Sequence, residues 1–388
     1  MSEPGALTGL KVLDFTRVLA GPFATMMLGD LGAAVVKVER PGSGDETRSW
    51  GPPFDADGQA TYFQAVNRNK SSLTLDFGLA EDVAEAVRLA AHADVVVENF
   101  RPGVLDALGL GYADLRARNP GLIYCSITGF GSGEGASLPG YDLILQAVGG
   151  LMSITGSPDG RPEKAGVAVV DVLAGLFATV GILAALRHRE RTGEGQRVEV
   201  DLLSSLLAAL VNQGAAYTIA GVVPTRMGSS HPSIAPYELL PTAEGELVLA
   251  IGNERQFADL CRVLGAPELA GDPRFASNAE RVANREALRA ELERLAAARP
   301  AAEWARRLTA SRVPAGTVND LGAAFALAAD LGLDPVVEVP REDGTSVALT
   351  RNPIGLSRTP VDYRTAPPRL TTLPRGDRGA ASRRRRRG

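Results

Sequence analysis

The sequence is poor in the residues that build disulfide frameworks and metal sites. Its 388 residues include only two cysteines, Cys125 and Cys261, and three histidines. Neither cysteine has a CxxC partner, and the histidines lack the spacing of metal ligands. We therefore expect reduced thiols and no metal site, in a chain long enough to bury a sizeable core without either.

The chain also lacks a strong net charge and a leader sequence. Its formal net charge is -4, so no overall basic field indicates nucleic acid as a partner. The exception is the run Arg383–Arg387, because adjacent like charges repel and cannot be buried together. We expect residues 371–388 to form a disordered, Arg-rich tail. Residues 1–9 lack the basic and apolar regions of a signal peptide, which predicts a cytoplasmic protein.

Familiar nucleotide-binding and catalytic motifs are missing as well. Gly42-Ser43-Gly44 lacks the third glycine of a dinucleotide fingerprint and follows the second predicted strand instead of the first. There is no Walker A sequence and no GxSxG nucleophile elbow. The sequence therefore predicts neither a dinucleotide-dependent enzyme, nor a P-loop protein, nor a serine hydrolase of the α/β type.

One long apolar run contains a carboxylate. The segment Ala165–Leu186 is nearly all apolar and approaches the length of a bilayer span, but Asp171 lies inside it. A charge there is costly in lipid, and sequence of globular character continues on both sides. We therefore predict a buried segment of a folded core and no membrane partner. A carboxylate in such surroundings is expensive unless it is paired or functional.

Alternating strand-like and helix-like segments in the first half predict an α/β domain with a mostly parallel, Rossmann-like sheet. β-branched apolar residues dominate several of the strands, as in strands buried on both faces. The predicted strands are Lys11–Phe15, Ala34–Glu39, Asp94–Phe100 and Leu122–Thr128, and the predicted helices are Gly21–Gly32, Leu79–Ala91 and Val172–Arg187. Arg197–Leu203 is either a further strand or an extended entry to the next helix.

The character of the sequence changes after about residue 218. Gly221–Pro241 is rich in glycine, proline and serine and resembles a linker. A smaller α+β domain follows, with a strand at Leu247–Ile251 and a long helix at Asn278–Arg299. We assign residues 1–218 to a large domain, 219–325 to the linker and small domain, and 326–370 to a return into the large domain.

Several basic residues lie in loops or at element ends of the first third of the chain. Arg40 follows a strand end, where α/β folds place ligands. The others are Arg48, Arg68, Lys70 and Arg101. Such groups can hold phosphates, but scattered surface charge explains the spacing equally well. The pattern alone leaves both interpretations open.

Longer motifs carry a resemblance over Gly9–Pro368. They are GLKVLDFTRVLAGPFATMMLGDLGAAVVKVERPGSGDETR, YFQAVNRNKSSLTLD, DVVVENFRPGVLDALGLGY, GYDLILQAVGGLMSITG, GVAVVDVLAGLFATVGILAAL and TGEGQRVEVDLLSSLLA. In these segments the sequence resembles the class III CoA-transferases, the family that includes the formyl-CoA and carnitine CoA-transferases. The segment Arg226–Phe257 is most similar to the succinyl-CoA–dicarboxylate type.

The resemblance implies a fold and a mechanism. It implies an interlocked homodimer in which each chain threads through the other's ring. It also implies that Asp171, the carboxylate of the apolar run, is the covalent nucleophile that exchanges coenzyme A between carboxylic acids. Succinyl-CoA is the favoured donor, a small carboxylic acid the acceptor, and no cofactor is bound permanently.

The resemblance also assigns site residues. Tyr141 matches an active-site tyrosine, and Tyr62, Leu19, Gly252 and Asn253 fall at substrate or loop positions. The positions that match coenzyme A contacts are Val18, Arg40, Leu75, Asn99, Phe100 and Arg101.

Departures from the family pattern narrow the expected activity. Leu19 replaces a glutamine of the formyl-CoA transferases, and Ala107 replaces an arginine near coenzyme A. Only one glycine, Gly252, remains of a glycine-rich loop. Tyr141 stands where the related α-methylacyl-CoA racemases have a histidine base. The missing histidine argues against a racemase, which needs a pair of acid/base groups. An acyl-CoA racemase or epimerase and a catalytically silent CoA-binding protein are kept as the alternatives.

Overall fold

The computed structural model describes residues 5–370, which divide into two compact units. The first unit comprises residues 5–149, 165–220 and 334–370, and the second comprises residues 150–164 and 221–333. The Arg-rich tail predicted for residues 371–388 lies outside the described residues.

A six-stranded parallel sheet forms the centre of the first unit. The strands lie in the order β3-β2-β1-β4-β5-β6, and every neighbouring pair is parallel. This arrangement confirms the predicted α/β fold. The strands are β1 Lys11–Asp14, β2 Ala34–Glu39, β3 Lys70–Thr74, β4 Val95–Glu98, β5 Ile123–Thr128 and β6 Arg197–Asp201.

Helices connect these strands and continue into the second unit. In chain order the helices are α1 Ala20–Asp30, α2 Thr61–Ala65, α3 Ala80–Ala90, α4 Tyr112–Arg118, α5 Asp142–Val148, α6 Leu151–Ile154, α7 Val169–Thr192, α8 Leu202–Ala209, α9 Val211–Ala220, α10 Glu254–Leu264, α11 Asn278–Ala283, α12 Arg285–Ala296, α13 Ala301–Ala310 and α14 Leu321–Asp330. Short 3₁₀ turns occupy Glu46–Ser49, Asp106–Leu108, Glu134–Ser137 and Pro267–Gly271.

The central strands are apolar because both of their faces are covered. Val95, Val96 and Val97 of β4 have no exposed surface, and neither have Ile123 and Cys125 of β5. Continuous β-branched runs of this kind are typical of parallel strands between two helical layers. The sheet is therefore a rigid platform, and the loops at its carboxyl edge carry the candidate site.

Helix α7 begins earlier than predicted. It starts at Val169, three residues before the predicted Val172, so that Asp171 lies in its first turn. One face of α7 is buried through Ala174, Ala178, Ile182 and Ala185, which follow helical spacing. In the described chain α7 is the one unbroken helix that is long and apolar enough to span a bilayer, judged by length and composition.

The second unit has its own sheet and core. The strands β7 Tyr237–Pro241, β8 Glu246–Ala250 and β9 Ala315–Thr317 are antiparallel in the order β7-β8-β9. β7 corrects the linker interpretation of Gly221–Pro241, because Leu240 and Glu238 are buried in this sheet.

The long helix predicted for Asn278–Arg299 is wrong. The segment forms two helices, α11 and α12, which meet at Asn284. The Asn284 side-chain nitrogen donates to the carbonyl oxygens of Glu280 and Arg274. An asparagine that bonds to the backbone in this way competes with the helical hydrogen bonds. The break therefore has a local cause that helical periodicity does not reveal.

Residues 334–370 return to the first unit through a hairpin and a set of polar contacts. The hairpin strands are β10 Val336–Pro340 and β11 Ser346–Thr350. Beyond them the Arg364 guanidinium donates to the carbonyl oxygens of Gly29, Gly32 and Ala33. These carbonyls include the end of α1, where backbone acceptors need partners. The contacts fix the end of α1 and so help to orient its beginning at the site.

Candidate active site

A cavity of about 400 Å³ opens at the carboxyl edge of the parallel sheet. Its walls come from the loops after β1, β4 and β5, from Leu202 at the start of α8 and from the first turn of α7. Ligands of open α/β folds bind at this edge. The structure brings seven of the predicted site residues together here: Val18, Leu19, Asn99, Phe100, Arg101, Tyr141 and Asp171.

Asp171 is a buried carboxylate that faces this cavity. Only 9% of its surface is exposed. Burial, and then the neighbouring Asp142 carboxylate, raise the pKa of Asp171 from its usual value near 3.8 to about 7. No cation of residues 5–370 compensates its charge. A carboxylate with so little stabilisation when ionised is a competent nucleophile or base near neutral pH.

Asp142, which the sequence analysis missed, holds the first turn of α7. Its Oδ1 accepts hydrogen bonds from the backbone N–H groups of Val170 (2.8 Å) and Asp171 (3.3 Å). Its Oδ2 accepts one from the Gln146 side-chain amide (2.6 Å). The one feature of the sequence that could have indicated a role for Asp142 is its place next to Tyr141. Sequence periodicity does not connect Asp142 with Val170 and Asp171, which lie 28 and 29 residues further along the chain.

The loop between β1 and α1 is strained where it lines the cavity. Val18 has φ of 67°, a left-handed conformation that is unfavourable for a β-branched residue. Asn99 holds the preceding residue by accepting from the Arg17 N–H (2.9 Å) and donating to the Arg17 carbonyl (2.8 Å). The Val18 N–H donates to Asp45. Strain fixed by its surroundings in this way is common at functional sites.

A buried ionic network lies beneath this loop. Lys70 pairs with Asp14 (3.1 Å) and Lys37 pairs with Asp45 (2.8 Å). Lys37 also donates to the carbonyl oxygen of Thr16. Burial alone would raise the pKa of Asp14, but Lys70, Lys37 and the hydrogen bonds from Thr16 and Thr25 together outweigh burial and lower it to about 2. Lys70, which the sequence suggested as a phosphate ligand, is thus buried and paired with Asp14.

Helices α1 and α7 approach each other closely beside Asp171. A Cβ atom placed on Gly175 would lie 2.6 Å from the backbone oxygen of Ala20, which is shorter than real contacts allow. Because Ala20 lines the cavity and Gly175 lies one turn after Asp171, this glycine sets the spacing between the α1 start and the carboxylate.

We predict that Gly175→Ala destabilises the protein by about 1–3 kcal/mol. An alanine inside a helix normally stabilises by about 1 kcal/mol relative to glycine, so a loss would reveal the backbone clash. Urea unfolding measures the effect. Gly214→Ala in α9 is the matched control, because its added methyl group would make only ordinary contacts of 3.5 Å or more. Equal stability changes in the two variants would contradict the prediction.

A second cavity of about 250 Å³ adjoins the first. Arg17, Phe100 and Val104 line both. The predicted residues Arg40 and Leu75 belong to this second cavity. The guanidinium of Arg17 lies 4.5 Å from the centre of the Phe100 ring. The two cavities therefore share a wall that is both aromatic and cationic.

Two other basic residues that the sequence suggested as phosphate ligands form ion pairs within the protein. Arg48 makes two hydrogen bonds of 2.7 Å to the Glu39 carboxylate. Arg68 pairs with the buried Asp30. Of the basic residues singled out in the sequence, Arg40 and Arg101 are exposed and line cavities, so they are the ones placed to meet a ligand.

Three predicted residues are not among those that line the two cavities. The ring of Tyr62 packs against Trp50, at 5.4 Å between centres. Burial, and then the charges of Asp171 and Asp142, raise the pKa of its hydroxyl. Gly252 and Asn253 belong to the second unit. There the Asn253 side chain caps α10, and the Gly252 N–H donates to Gln256.

Within residues 5–370 no three His, Cys, Asp or Glu side chains cluster in a way that could hold a metal ion. Cys125 and Cys261 are both buried, and burial raises the pKa of each thiol. Such a shift disfavours the thiolate form that makes a cysteine reactive.

The fold and the site define an α/β protein with a buried carboxylate in the first of two adjoining, ligand-sized cavities. Residues 7–372 match the family model for CoA-transferase family III, and the chain belongs to this family. It is therefore an enzyme of the CoA-transferase class, whose substrates are CoA thioesters.

Known relatives cover nearly the whole chain. A succinate–glutarate CoA-transferase from Agrobacterium fabrum is 46% identical over 94% of this chain and 92% of its own length. A succinyl-CoA:mesaconate CoA-transferase from Haloarcula hispanica is 46% identical over 83% of this chain and 82% of its own length. The crystal structure of a CAIB/BAIF family protein from Brucella suis is 43% identical over 99% of this chain and all of its own, with a TM-score of 0.85.

Proposed function

We propose that this protein transfers coenzyme A from succinyl-CoA to a small dicarboxylic or related acid, with Asp171 as the covalent nucleophile. The observation that carries the proposal is the unpaired, buried Asp171 carboxylate at a cavity next to a second, cation-lined cavity. The relatives support the choice of substrates, because two of them are named for succinate with glutarate and for succinyl-CoA with mesaconate.

In the proposed mechanism the Asp171 carboxylate attacks the donor thioester carbonyl. The carbon–sulfur bond breaks, which gives an acyl-aspartyl anhydride and the CoA thiolate. The thiolate then attacks the aspartyl carbonyl, so that succinate leaves and an aspartyl-CoA thioester remains. The acceptor carboxylate repeats these steps in reverse. Covalent catalysis of this kind divides one difficult exchange into easier ones.

The cavity walls support each step. Leu19 and Ala20 line the cavity together with Asp171, and we propose that their backbone N–H groups donate to the tetrahedral oxyanions. The Tyr141 side chain is 59% exposed and lines the same cavity, where its hydroxyl can contact the acyl group. Leu19 gives this wall an apolar side chain in place of an amide, which we propose disfavours formyl or oxalate chemistry.

We propose that coenzyme A occupies both cavities. Arg40 and Leu75 would contact the nucleotide, and Phe100 in the shared wall would separate nucleotide from pantetheine. Val18, Asn99 and Arg101 would line the path toward Asp171. No permanently bound cofactor is part of the proposal.

We predict that Arg40→Ala weakens CoA binding roughly 10-fold or more at low salt, because a charge-assisted hydrogen bond to phosphate is lost. The difference should shrink as ionic strength rises. Isothermal titration calorimetry with CoA at two salt concentrations measures it. Arg118→Ala, an exposed arginine on α4, is the control. Unchanged affinity at low salt would remove Arg40 from the site.

The alternatives make different predictions. A racemase would exchange the α-proton of an acyl-CoA with solvent deuterium, for which it needs two acid/base groups. Among the described residues that line the first cavity there is no histidine, which disfavours this reading. A silent CoA-binding protein would bind CoA equally well with or without Asp171 and would turn over nothing.

We also propose that the chain acts as an interlocked homodimer in the cytoplasm. Two apolar helices support a partner, because α9 in the first unit and α14 in the second contain no buried residue. Ile219 is 85% exposed and Leu321 is 80% exposed. Light scattering should give twice the chain mass, and a monomer at micromolar concentration would contradict the proposal.

Mass spectrometry of the acyl-CoA pool tests the proposed function. Purified protein is mixed with succinyl-CoA and a panel of carboxylic acids that includes glutarate and mesaconate. A new acyl-CoA that depends on both substrates is expected and identifies the acceptor. If only α-deuterated acyl-CoA forms in heavy water, the protein is a racemase instead.

A further inference from the structure

The side chains of α5 contact the segment that leads into α7. Asp142 and Gln146 lie one turn apart on α5, and Gln146 has no exposed surface. Gln146 accepts from the Ala165 N–H (2.8 Å) and donates to Asp142, while Asp142 accepts from Val170 and Asp171. The clamp formed by Asp142 and Gln146 therefore fixes the backbone on both sides of the α7 start.

Asp142 acts as a cap from outside the helix. The residue that precedes α7, Ala168, has no side chain that could accept hydrogen bonds from the first turn. A carboxylate from α5 takes this role instead. Deleting it would leave the Val170 N–H without its acceptor and free the turn that orients Asp171.

The same contact holds a second carboxylate beside Asp171 at the start of α7. The N–H groups of a first helical turn normally stabilise a nearby carboxylate and lower its pKa. Here Asp142 occupies the N–H groups of Val170 and Asp171, so they cannot stabilise the Asp171 side chain. Its negative charge also opposes ionisation of Asp171. Burial, and then the charges of Asp171, Asp142 and Asp45, raise the pKa of the Tyr62 hydroxyl on α2.

We infer that Asp142 is a positioning residue for the transfer reaction: it aims the Asp171 carboxylate at the cavity and keeps its charge poorly stabilised, so that it attacks the thioester more readily. This inference rests on the proposed role of Asp171 as nucleophile. It assigns a second carboxylate to the site, one that contacts no substrate.

The test compares Asp142→Asn with Asp142→Ala. Asparagine keeps an acceptor oxygen for the α7 amides but removes the charge, whereas alanine removes both. We expect Asp142→Asn to move the acidic limb of the kcat/KM profile about 1 pH unit lower, because a like charge beside Asp171 is gone. We expect Asp142→Ala to lose about 10²-fold in kcat through misorientation.

Asp320→Asn is the matched control. Asp320 caps α14 in the second unit by accepting from the Ala323 N–H, so the same change is made at a helix start that is not part of the first cavity's lining. Its pH profile should equal that of the native protein. An acidic limb that stays in place in Asp142→Asn would overturn the inference, even if activity falls.

Hydrogen–deuterium exchange separates this inference from the proposed function. In Asp142→Ala, but not in Asp142→Asn, the peptide that contains Val170 and Asp171 should exchange at least about 10-fold faster. Equal exchange in both variants and the native protein would overturn the positioning role directly. If exchange behaves as expected while the native protein transfers no CoA to any acid, the proposed reaction fails and the capping role survives.

Discussion

Asp171→Ala should abolish CoA transfer, with a loss of roughly 10⁴-fold or more, because the covalent nucleophile is removed. Binding of CoA should persist, since the walls of both cavities remain. Turnover of succinyl-CoA with an acceptor acid measures the first effect, and calorimetric titration with CoA measures the second. Residual transfer within 10-fold of the native rate would exclude Asp171 as nucleophile.

Removing the Asp171 carboxylate should stabilise the folded protein at high pH, although it abolishes activity. Because burial and Asp142 raise the pKa of Asp171 to about 7, the folded protein resists its ionisation at high pH. Below pH 4 the group is protonated in both the folded and unfolded states, and no penalty exists. As pH rises from 4 to 7 the penalty grows, to at most about 4 kcal/mol, and then stays constant.

Asp171→Asn should therefore be more stable than the native protein at pH 8 and similar to it at pH 4. Urea unfolding at both pH values measures the difference. The exposed Glu190→Gln change on α7 is the control and should alter stability little at either pH. A native protein that is as stable as Asp171→Asn at pH 8 would mean that the ionised carboxylate is compensated.

Asp14→Ala should destabilise the protein by about 3–5 kcal/mol. The Asp14 carboxylate pairs with Lys70 and accepts from Thr16 and Thr25, and neither it nor Lys70 has an exposed side chain. Its removal leaves the Lys70 charge buried without its carboxylate. The strained Val18 loop rests on this network, so activity should fall as well.

The contribution of Asp14 should depend on pH in the opposite direction to that of Asp171. The folded protein lowers the pKa of Asp14 to about 2, so the stability it contributes is present above about pH 4 and is lost as pH falls toward 2. Urea unfolding of native and Asp14→Ala protein between pH 3 and 7 measures this. A constant difference across that range, or one below 1 kcal/mol, would contradict the account.

Most of the parallel sheet could be predicted because its residues follow simple patterns. The strand β3 was missed, because its sequence KSSLT is largely polar. The β-branched run at Val95–Val97 and the alternation of strands with helices allow few other arrangements. Helix ends were harder to place. α7 begins at Val169 because Asp142, distant in sequence, supplies its cap, and a cap from another helix leaves no local signal.

The candidate site was predictable only in part. Asp171 is conspicuous because a lone carboxylate interrupts an apolar run, and the resemblance supplied its role. Lys37, by contrast, sits in β2 between valines, where alternation gives no hint that its charge is buried against Asp45. Whether such a charge is buried depends on a partner distant in sequence, and sequence periodicity carries no information about that partner.

The measurement that tests the central claim most directly is mass spectrometry of the protein after incubation with succinyl-CoA alone. The account predicts a covalent adduct equal in mass to CoA less one water, on the peptide that contains Asp171. Hydroxylamine should convert it to a hydroxamate, and Asp171→Asn should form none. Transfer that proceeds with an unmodified Asp171, or an adduct on another residue, would contradict the account.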